Sequence, residues 1–195
     1  MYAYLQGKFS YKSPALVHLE VNGIGFEIHI SLNTYAAIQS LADGRLYTHL
    51  QVKEDGHSLF GFYEKEEKDI FLLLISISGV GASTARMMLS SLKSDEVAKA
   101  IAQGNVKLLE SVKGIGKKTA ERIVLELKDK ISKQPSAAGS TPIVQLNMVE
   151  QDALYALVAL GISRNQAEQA IQKIMKSDPD INNLENLIKK ALKAI

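Results

Sequence analysis

The chain has 195 residues, of which 46% are hydrophobic and 23% are charged, and it contains no cysteine. This composition is that of an ordinary globular protein, and the missing cysteines exclude disulfide frameworks and thiolate metal sites. The net charge of +2 is unevenly distributed: residues 1–64 carry 4 basic and 6 acidic side chains, residues 65–134 carry 13 and 9, and residues 135–195 carry 6 and 6. The positive excess therefore lies in the middle of the chain, where it would attract a phosphate-rich partner.

The first 64 residues are predicted to form β-strands. Leu16–Val21 and Ile24–Ile30 alternate apolar and polar residues, and Asn22-Gly23 between them is typical of a tight hairpin turn. Alternating stretches elsewhere complete a set of about five strands: Tyr2–Phe9, Leu46–Val52 and Leu59–Tyr63. Such a short set must curl to bury one face, so residues 1–64 are predicted to form an OB-type β-barrel. Because this segment is net acidic, we expect it to act as a scaffold.

Two groups of polar residues in the barrel segment could have a function. His18 and His29 occupy polar positions of their strands, so we expect them to be solvated, and no pairing of histidines predicts a metal site. Glu54 and Asp55 form an acidic pair at the tip of a predicted hairpin. From the sequence alone this pair could be a soluble turn or a functional tip.

The clearest motif lies in residues 65–133, which are predicted to be helical. Asn105 is a suitable N-cap for a short helix, and Ala120–Ile131 has the apolar spacing of a second helix. The turn between them reads Gly-Ile-Gly-Lys-Lys-Thr over residues 114–119. Its glycines allow positive φ and close approach, and the following helix presents unpaired amides and the positive end of its dipole. Amides and two lysines together predict a phosphate-binding turn.

A second copy of this turn lies 35 residues earlier. The matching pairs are Gly79 and Gly114, Val80 and Ile115, Gly81 and Gly116, Ala85 and Ala120, Met88 and Ile123, Leu89 and Val124, and Leu92 and Leu127. A tight turn between helices can exist for packing alone, but a tandem copy favours phosphate binding. The pattern resembles the helix-hairpin-helix family, which grips DNA backbones without reading bases. The candidate contacts are Gly79, Gly81, Ser83, Thr84, Gly114, Gly116, Lys117, Lys118, Thr119 and Arg122.

The C-terminal third divides into a linker and three short helices. Residues 134–147 lack periodicity and are rich in Pro, Ser, Ala and Gly, so they are predicted to be a flexible linker. Residues 148–195 are predicted to form a three-helix bundle, with N-caps at Asn147, Ser163 and Asn182 and with Gly161 ending the first helix. The tail could be a docking module or could fold back on the body.

In the middle region, Ser94 is the predicted N-cap of the helix that joins the two hairpins.

No catalytic site and no cofactor are predicted. A Walker A loop requires a glycine directly before its Lys-Thr pair, whereas Lys118-Thr119 follows Lys117. The carboxylates are scattered and do not predict a metal-dependent nuclease. The start of the chain lacks the features of a signal peptide, and Ile70–Ile75, the longest apolar run, is too short to cross a bilayer. We therefore expect a cytoplasmic protein with no membrane partner.

The whole chain resembles the RuvA family, the Holliday-junction-binding subunits of the bacterial branch-migration machine. The resemblance is carried by five stretches: residues 52–55, residues 59–62, residues 78–81, residues 114–122 and residues 156–161. It implies a homotetramer, with an octamer left open, that holds a four-way DNA junction. It also implies two protein partners, a RuvB-like AAA+ ATPase and a RuvC-like resolvase. By motif match, Glu54 and Asp55 would lie at the strand crossover. The motor-docking surface would comprise Leu157, Leu160, Ile162 and Leu192.

The chain departs from the family pattern at two places. Ala82-Ser83-Thr84 replaces a common Pro-Lys pair after the first hairpin, which predicts a weaker salt-sensitive contribution there than from Lys117 and Lys118. Ile162 replaces a common aromatic residue in the tail. Two other functions remain open at this point: a repair nuclease that uses hairpins for grip, and a single-strand-binding OB protein.

Overall fold

The computed structural model describes residues 2–54, 56–132, 142–178, 181 and 183–194. The chain divides into two compact units, Met1–Pro135 and Ser136–Ile195. Among the described residues, the first unit contains a β-barrel and six helices, and the second contains three helices. The predicted fold class, an OB-type barrel with a tandem helix-hairpin-helix domain and a three-helix tail, is confirmed.

Five strands close the barrel in the order β1-β2-β3-β5-β4. Their bounds are β1 Tyr4–Ser13, β2 Leu16–Val21, β3 Ile24–Ile30, β4 Asp43–Lys53 and β5 Gly56–Phe62. All neighbours are antiparallel except β3 and β5. Asn22 and Gly23 have φ of 51° and 82°, as the predicted two-residue turn requires. Alternate residues point inward and form a core that includes Val17, Leu19, Ile28, Ile30 and Leu46.

A short helix that the sequence did not predict, α1, spans Leu32–Ile38 between β3 and β4. The Ser31 hydroxyl caps it by accepting from the Thr34 amide, and Ile38 is fully buried in the barrel core. The helix is only seven residues long, too short for a periodic pattern to show. The position of α1 depends on the burial of Ile38 in the barrel core.

Five helices follow the barrel: α2 Lys65–Ile75, α3 Ala82–Ser91, α4 Ser94–Ala102, α5 Val106–Glu110 and α6 Lys117–Ser132. Their apolar faces share one core with the end of β5, where the Phe62 and Phe71 rings lie 4.8 Å apart between centroids. The Asn105 side chain caps α5 as predicted. The predicted N-cap Ser94 is wrong, because α4 begins at Ser94 itself. Lys93 precedes it, and the Lys93 amide donates to Glu96 at 2.8 Å.

The second unit contains α7 Pro142–Ala159, α8 Arg164–Ser177 and α9 Leu184–Ala194. The predicted start at Asn147 is wrong, since residues 142–147 of the predicted linker are helical. A proline fits the first turn of a helix, because its missing N–H is not needed there. The remaining linker residues up to 141, and Asn182, lie outside the described residues. Ser163 caps α8 as predicted, whereas the Asn183 side chain accepts from the Asn186 amide at 3.1 Å in α9.

Candidate nucleic-acid interface

The two hairpin turns have the same backbone geometry. Gly79 and Gly114 adopt φ of 92° and 91°. In the first turn the Val80 amide donates to the Ile77 carbonyl at 3.0 Å, and in the second the Ile115 amide donates to Val112 at 3.1 Å. The serine that precedes Ile77 or Val112 also makes the same contact in both turns. The Ser76 hydroxyl donates to the Leu73 carbonyl, and the Ser111 hydroxyl donates to the Leu108 carbonyl, each at 2.7 Å. The repeat therefore extends from residue types to individual hydrogen bonds.

Buried apolar side chains hold each turn in place. Ile77 and Val80 flank Gly79 and are 2% and 5% exposed, while Val112 and Ile115 flank Gly114 and are 3% and 4% exposed. All four belong to the core of the helical domain. Each turn is thus fixed to the core by its apolar side chains, and its glycines are exposed to solvent.

The helix that follows each turn begins with unpaired amides. The first intrahelical bonds run from the Ala85 amide to Gly81 at 2.9 Å and from the Ala120 amide to Gly116 at 3.0 Å. The backbone amides that precede Ala85 and Ala120 in each helix have no acceptor within that helix. At the start of α3, where Gly81 is the N-cap, no side chain accepts from these amides either. These N–H groups and the positive end of the helix dipole suit an anion.

Gly81 and Gly116 are not required by the fold of this chain. A Cβ added to either would meet nothing within 4 Å, and neither residue has positive φ. Gly81 has φ of −81°, which any residue can adopt. Glycine at these positions keeps the backbone open to an external group, whereas Gly79 and Gly114 are required by their positive φ.

The cations are concentrated on the second hairpin. Lys117 and Lys118 are exposed, and the described contacts give neither an ion-pair partner. Lys113, which the sequence analysis did not select, is also exposed and directly precedes Gly114. Its position directly before Gly114 is the sequence signal that could have indicated it. Thr119 is half-buried. Arg122 donates to Glu126 at 2.6 Å, so its charge is partly neutralised.

The first hairpin lacks a cation at the matching positions. Ala82 is buried, Ser83 is exposed and Thr84 is half-buried, so Ser83 is the candidate side-chain donor there. The two hairpins are close neighbours, because a Cβ placed on Gly114 would lie 3.9 Å from the Met87 methyl group of α3. The second turn therefore lies beside α3, the helix that follows the first turn.

The predicted acidic pair at the barrel tip is described only at Glu54. Glu54 is exposed in the turn between β4 and β5, beyond the last ladder pair of Lys53 and Gly56. Asp55 lies outside the described residues.

The expectation that His29 is solvated is wrong. His29 is half-buried, and the centroid of its ring lies 5.6 Å from that of the Phe60 ring. Burial lowers the pKa of His29, and the nearby Arg86 charge lowers it further.

A buried carboxylate, Glu67, lies where α2 meets the barrel and is 5% exposed. The Ser31 hydroxyl donates to it, and the Thr34 hydroxyl donates at 2.7 Å. Burial raises the pKa of Glu67, and the Glu64 charge raises it further, while both hydroxyl hydrogen bonds lower it.

Within the described ranges no three side chains of His, Cys, Asp or Glu are grouped to hold a metal ion. No helix in these ranges is both long and apolar enough to span a membrane.

The four candidate docking residues of the tail differ in their exposure to solvent. Leu157 is fully buried in the three-helix core, so the prediction that it contacts a partner is wrong. Leu160 and Leu192 are 64% and 43% exposed, and Ile162 is half-buried against the core. Tyr155 and Val158 on α7, which the sequence analysis did not select, are also exposed. Gly161 ends the helix segment with φ of 92°, as predicted.

Comparison with known proteins covers nearly the whole chain. Three family models match in order: the RuvA N terminal domain at residues 1–61, the SAM-like helix-hairpin-helix tandem at 71–129, and the RuvA C-terminal domain at 149–195. Proteins named Holliday junction branch migration complex subunit RuvA are similar over their full length. The protein from Christiangramia forsetii is 50% identical over 100% of both chains. Those from Cytophaga hutchinsonii and Flavobacterium psychrophilum are 45% and 46% identical over 99% of both chains. The chain belongs to the RuvA family.

Proposed function

We propose that this chain is a non-catalytic DNA-binding subunit that holds four-way junctions and recruits an AAA+ ATPase for branch migration. The observation that carries the proposal is the pair of identical turns whose backbones stay open at Gly81 and Gly116. The names of its relatives, subunits of a Holliday junction branch migration complex, support the same function.

The proposed DNA contacts are to phosphates. Amides of the two turns would donate hydrogen bonds to phosphate oxygens, and Lys117, Lys118 and Lys113 would add positive charge. Ser83, Thr84 and Thr119 would contribute hydroxyl donors, and Arg122 its remaining guanidinium hydrogens. Because amides and lysines touch the backbone and not base edges, binding would be independent of sequence. This suits a protein along which DNA must slide.

Assembly would give such weak individual contacts their strength. A homotetramer, the state that the family resemblance implies, would present eight turns to the arms of one junction, and linked sites raise affinity without new contacts. The acidic tip of Glu54 and Asp55 would lie at the crossover. There its charge would repel incoming phosphates and direct the strands into the outgoing arms.

The second unit is proposed to dock the motor. Leu160 and Leu192 offer exposed apolar surface, with the half-buried Ile162 beside their helices. Contiguous exposed apolar patches mark protein–protein interaction sites, and these leucines are proposed to belong to one. A RuvB-like AAA+ ATPase is the proposed partner, and a RuvC-like resolvase is proposed to act on the same junction. The proposed location is the cytoplasm.

A competition experiment tests this function. A labelled four-way junction is bound to the full chain, and unlabelled junction, linear duplex and single strand of equal length compete at one salt concentration. We expect the junction to compete best, and junctions with scrambled arm sequences to compete equally well. Preference for single strands would instead indicate an OB-type single-strand binder. Cleavage of the junction by the purified chain with Mg²⁺ alone would indicate a nuclease.

A further inference from the structure

The two hairpins differ in how they are attached to the barrel. α3, which follows the first turn, is linked to α1 by reciprocal capping. The Asn33 side-chain amide of α1 donates to the carbonyls of Leu89 and Leu92 at the end of α3, at 2.6 and 3.0 Å. In return, the Ser90 hydroxyl of α3 accepts from the Leu32 amide at 3.1 Å. Each helix thus satisfies terminal groups that the other cannot satisfy alone.

A further hydrogen bond fixes the middle of α3. The Arg86 guanidinium donates to the Ala15 carbonyl, in the turn between β1 and β2, at 2.9 Å. Arg86 is half-buried, and burial lowers its pKa, as expected where a side chain is held against the barrel. The helix is therefore held at two levels, at its C-terminal end by Asn33 and one turn earlier by Arg86.

The second hairpin has no comparable attachment in residues 94–127. The hydrogen bonds described there are local, such as those of Lys99 with Asp95 and of Arg122 with Glu126. Its helix α6 packs on α4 and α5 through apolar side chains. Directional contacts with the barrel are therefore seen at the first hairpin, and the hydrogen bonds given for residues 94–127 of the second hairpin are local.

This difference has a geometric consequence. α3 has ten residues and is about 15 Å long, so a tilt of about 10° at its anchored end would move the first-turn amides by about 2–3 Å. Hydrogen bonds to phosphate tolerate only a few tenths of an ångström around about 2.9 Å. The contacts of Asn33, Ser90 and Arg86 therefore act with the shared apolar core to set the position of the first hairpin relative to the barrel.

We infer that Asn33, with Ser90 and Arg86, is a positioning residue for junction recognition. The inference rests on the proposed function. The second hairpin supplies charge that any duplex can use. The uncharged first hairpin is held at a set distance and angle from the barrel, so it engages a duplex arm only when that arm leaves the barrel in the direction a four-way junction imposes. Shape selection then comes from the first hairpin and general affinity from the second.

The test uses Asn33→Asp in the full chain. The substituted side chain has the same shape, but an ionised carboxylate cannot donate to the Leu89 and Leu92 carbonyls. The measured quantity is the ratio of affinities for a four-way junction and a linear duplex with the same arms. We expect this ratio to fall about tenfold, because simultaneous engagement is lost when geometry no longer matches. Gln39→Glu is the control, since it places the same added charge at the exposed end of α1.

A second variant, Ser90→Ala, removes the acceptor of the Leu32 amide without changing charge, and it should lower the ratio in the same direction. Thermal unfolding and sedimentation verify that each variant is folded and assembled. An unchanged ratio in folded Asn33→Asp and Ser90→Ala would overturn the inference, as would the failure of both to fold, because the contacts would then hold the fold and not the orientation. If the unmodified chain shows no preference for junctions, the proposed function fails instead.

Discussion

Gly79 and Gly114 lie 35 residues apart and adopt φ values within one degree of each other, 92° and 91°. The residues two positions later, Gly81 and Gly116, have no positive φ, and an added Cβ would meet no atom within 4 Å. The two glycines of each turn therefore have different reasons to be glycine. The first is a requirement of the backbone, and the second leaves the turn open toward a ligand.

Alanine substitutions should separate these two requirements. Gly114→Ala should lower the free energy of unfolding by about 1–2 kcal/mol, because a Cβ is strained at positive φ. Gly116→Ala should leave it unchanged or raise it by about 0.4–1 kcal/mol, yet weaken DNA binding, because its methyl group occupies the proposed phosphate approach. Urea unfolding and junction titration measure the two effects. Full DNA affinity in Gly116→Ala would place the phosphate elsewhere.

The lysines of the second hairpin should account for much of the salt dependence. Lys117→Ala with Lys118→Ala should reduce the slope of log affinity against log salt by about one per lost phosphate contact, similarly for junction and duplex. Ser83→Lys, at the exposed position matching Lys118, should increase the slope by about one. Lys189→Ala with Lys190→Ala, which removes equal charge from the tail, is the control. An unchanged slope in the first double variant would remove both lysines from the interface.

The acidic tip should guide strands and not hold them. Glu54→Gln with Asp55→Asn removes two negative charges from the β4–β5 turn, so junction affinity should be kept or increased while the rate of branch migration changes. Glu20→Gln with Asp43→Asn removes the same charge from other exposed barrel positions. Affinity and migration are measured with one junction and the added motor. A collapse of junction affinity in the tip variant would mean that the tip is structural.

The buried Glu67 should make stability depend on pH. Its pKa is raised above the ordinary value of 4.5, so the folded protein binds this proton more tightly than the unfolded chain. The carboxyl therefore contributes stability that is fully present below pH 4.5 and is lost as pH rises through the raised value. The free energy of unfolding of the unmodified chain, minus that of Glu67→Gln, should decrease across this range. Urea unfolding of both proteins at several pH values tests this, and a constant difference would contradict it.

The tail should distinguish a core leucine from surface leucines. Leu157→Ala should destabilise the three-helix unit by about 2–5 kcal/mol, because it leaves a cavity in the core. Leu160→Ala and Leu192→Ala should change stability by less than about 0.5 kcal/mol but weaken motor binding by about 1 kcal/mol or more. Calorimetric titration with the ATPase measures binding, and circular dichroism measures helix unfolding. Unaltered binding in both surface variants would place the docking surface elsewhere, for example around Tyr155 and Val158.

Much of the fold was predictable because its signals are local. Alternation identified the strands, Asn22-Gly23 identified the first β-hairpin, and glycine positions with a 35-residue repeat identified both turns between helices. Backbone preferences of single residues and the apolar period of a segment act within a few neighbours, so they can be read without knowing what packs against them. The helix start at Pro142 was missed because proline suits both a linker and a first helical turn.

The sequence by itself determined the elements, their order and the repeated turn, because these depend on neighbouring residues. Only the tertiary structure decided which leucine of the tail is core and which is surface, since Leu157 and Leu160 differ in what other helices cover. It likewise decided that His29 is half-buried and that Asn33 reaches the end of α3. Burial and long-range capping depend on residues far apart in the chain, and no local pattern specifies such contacts.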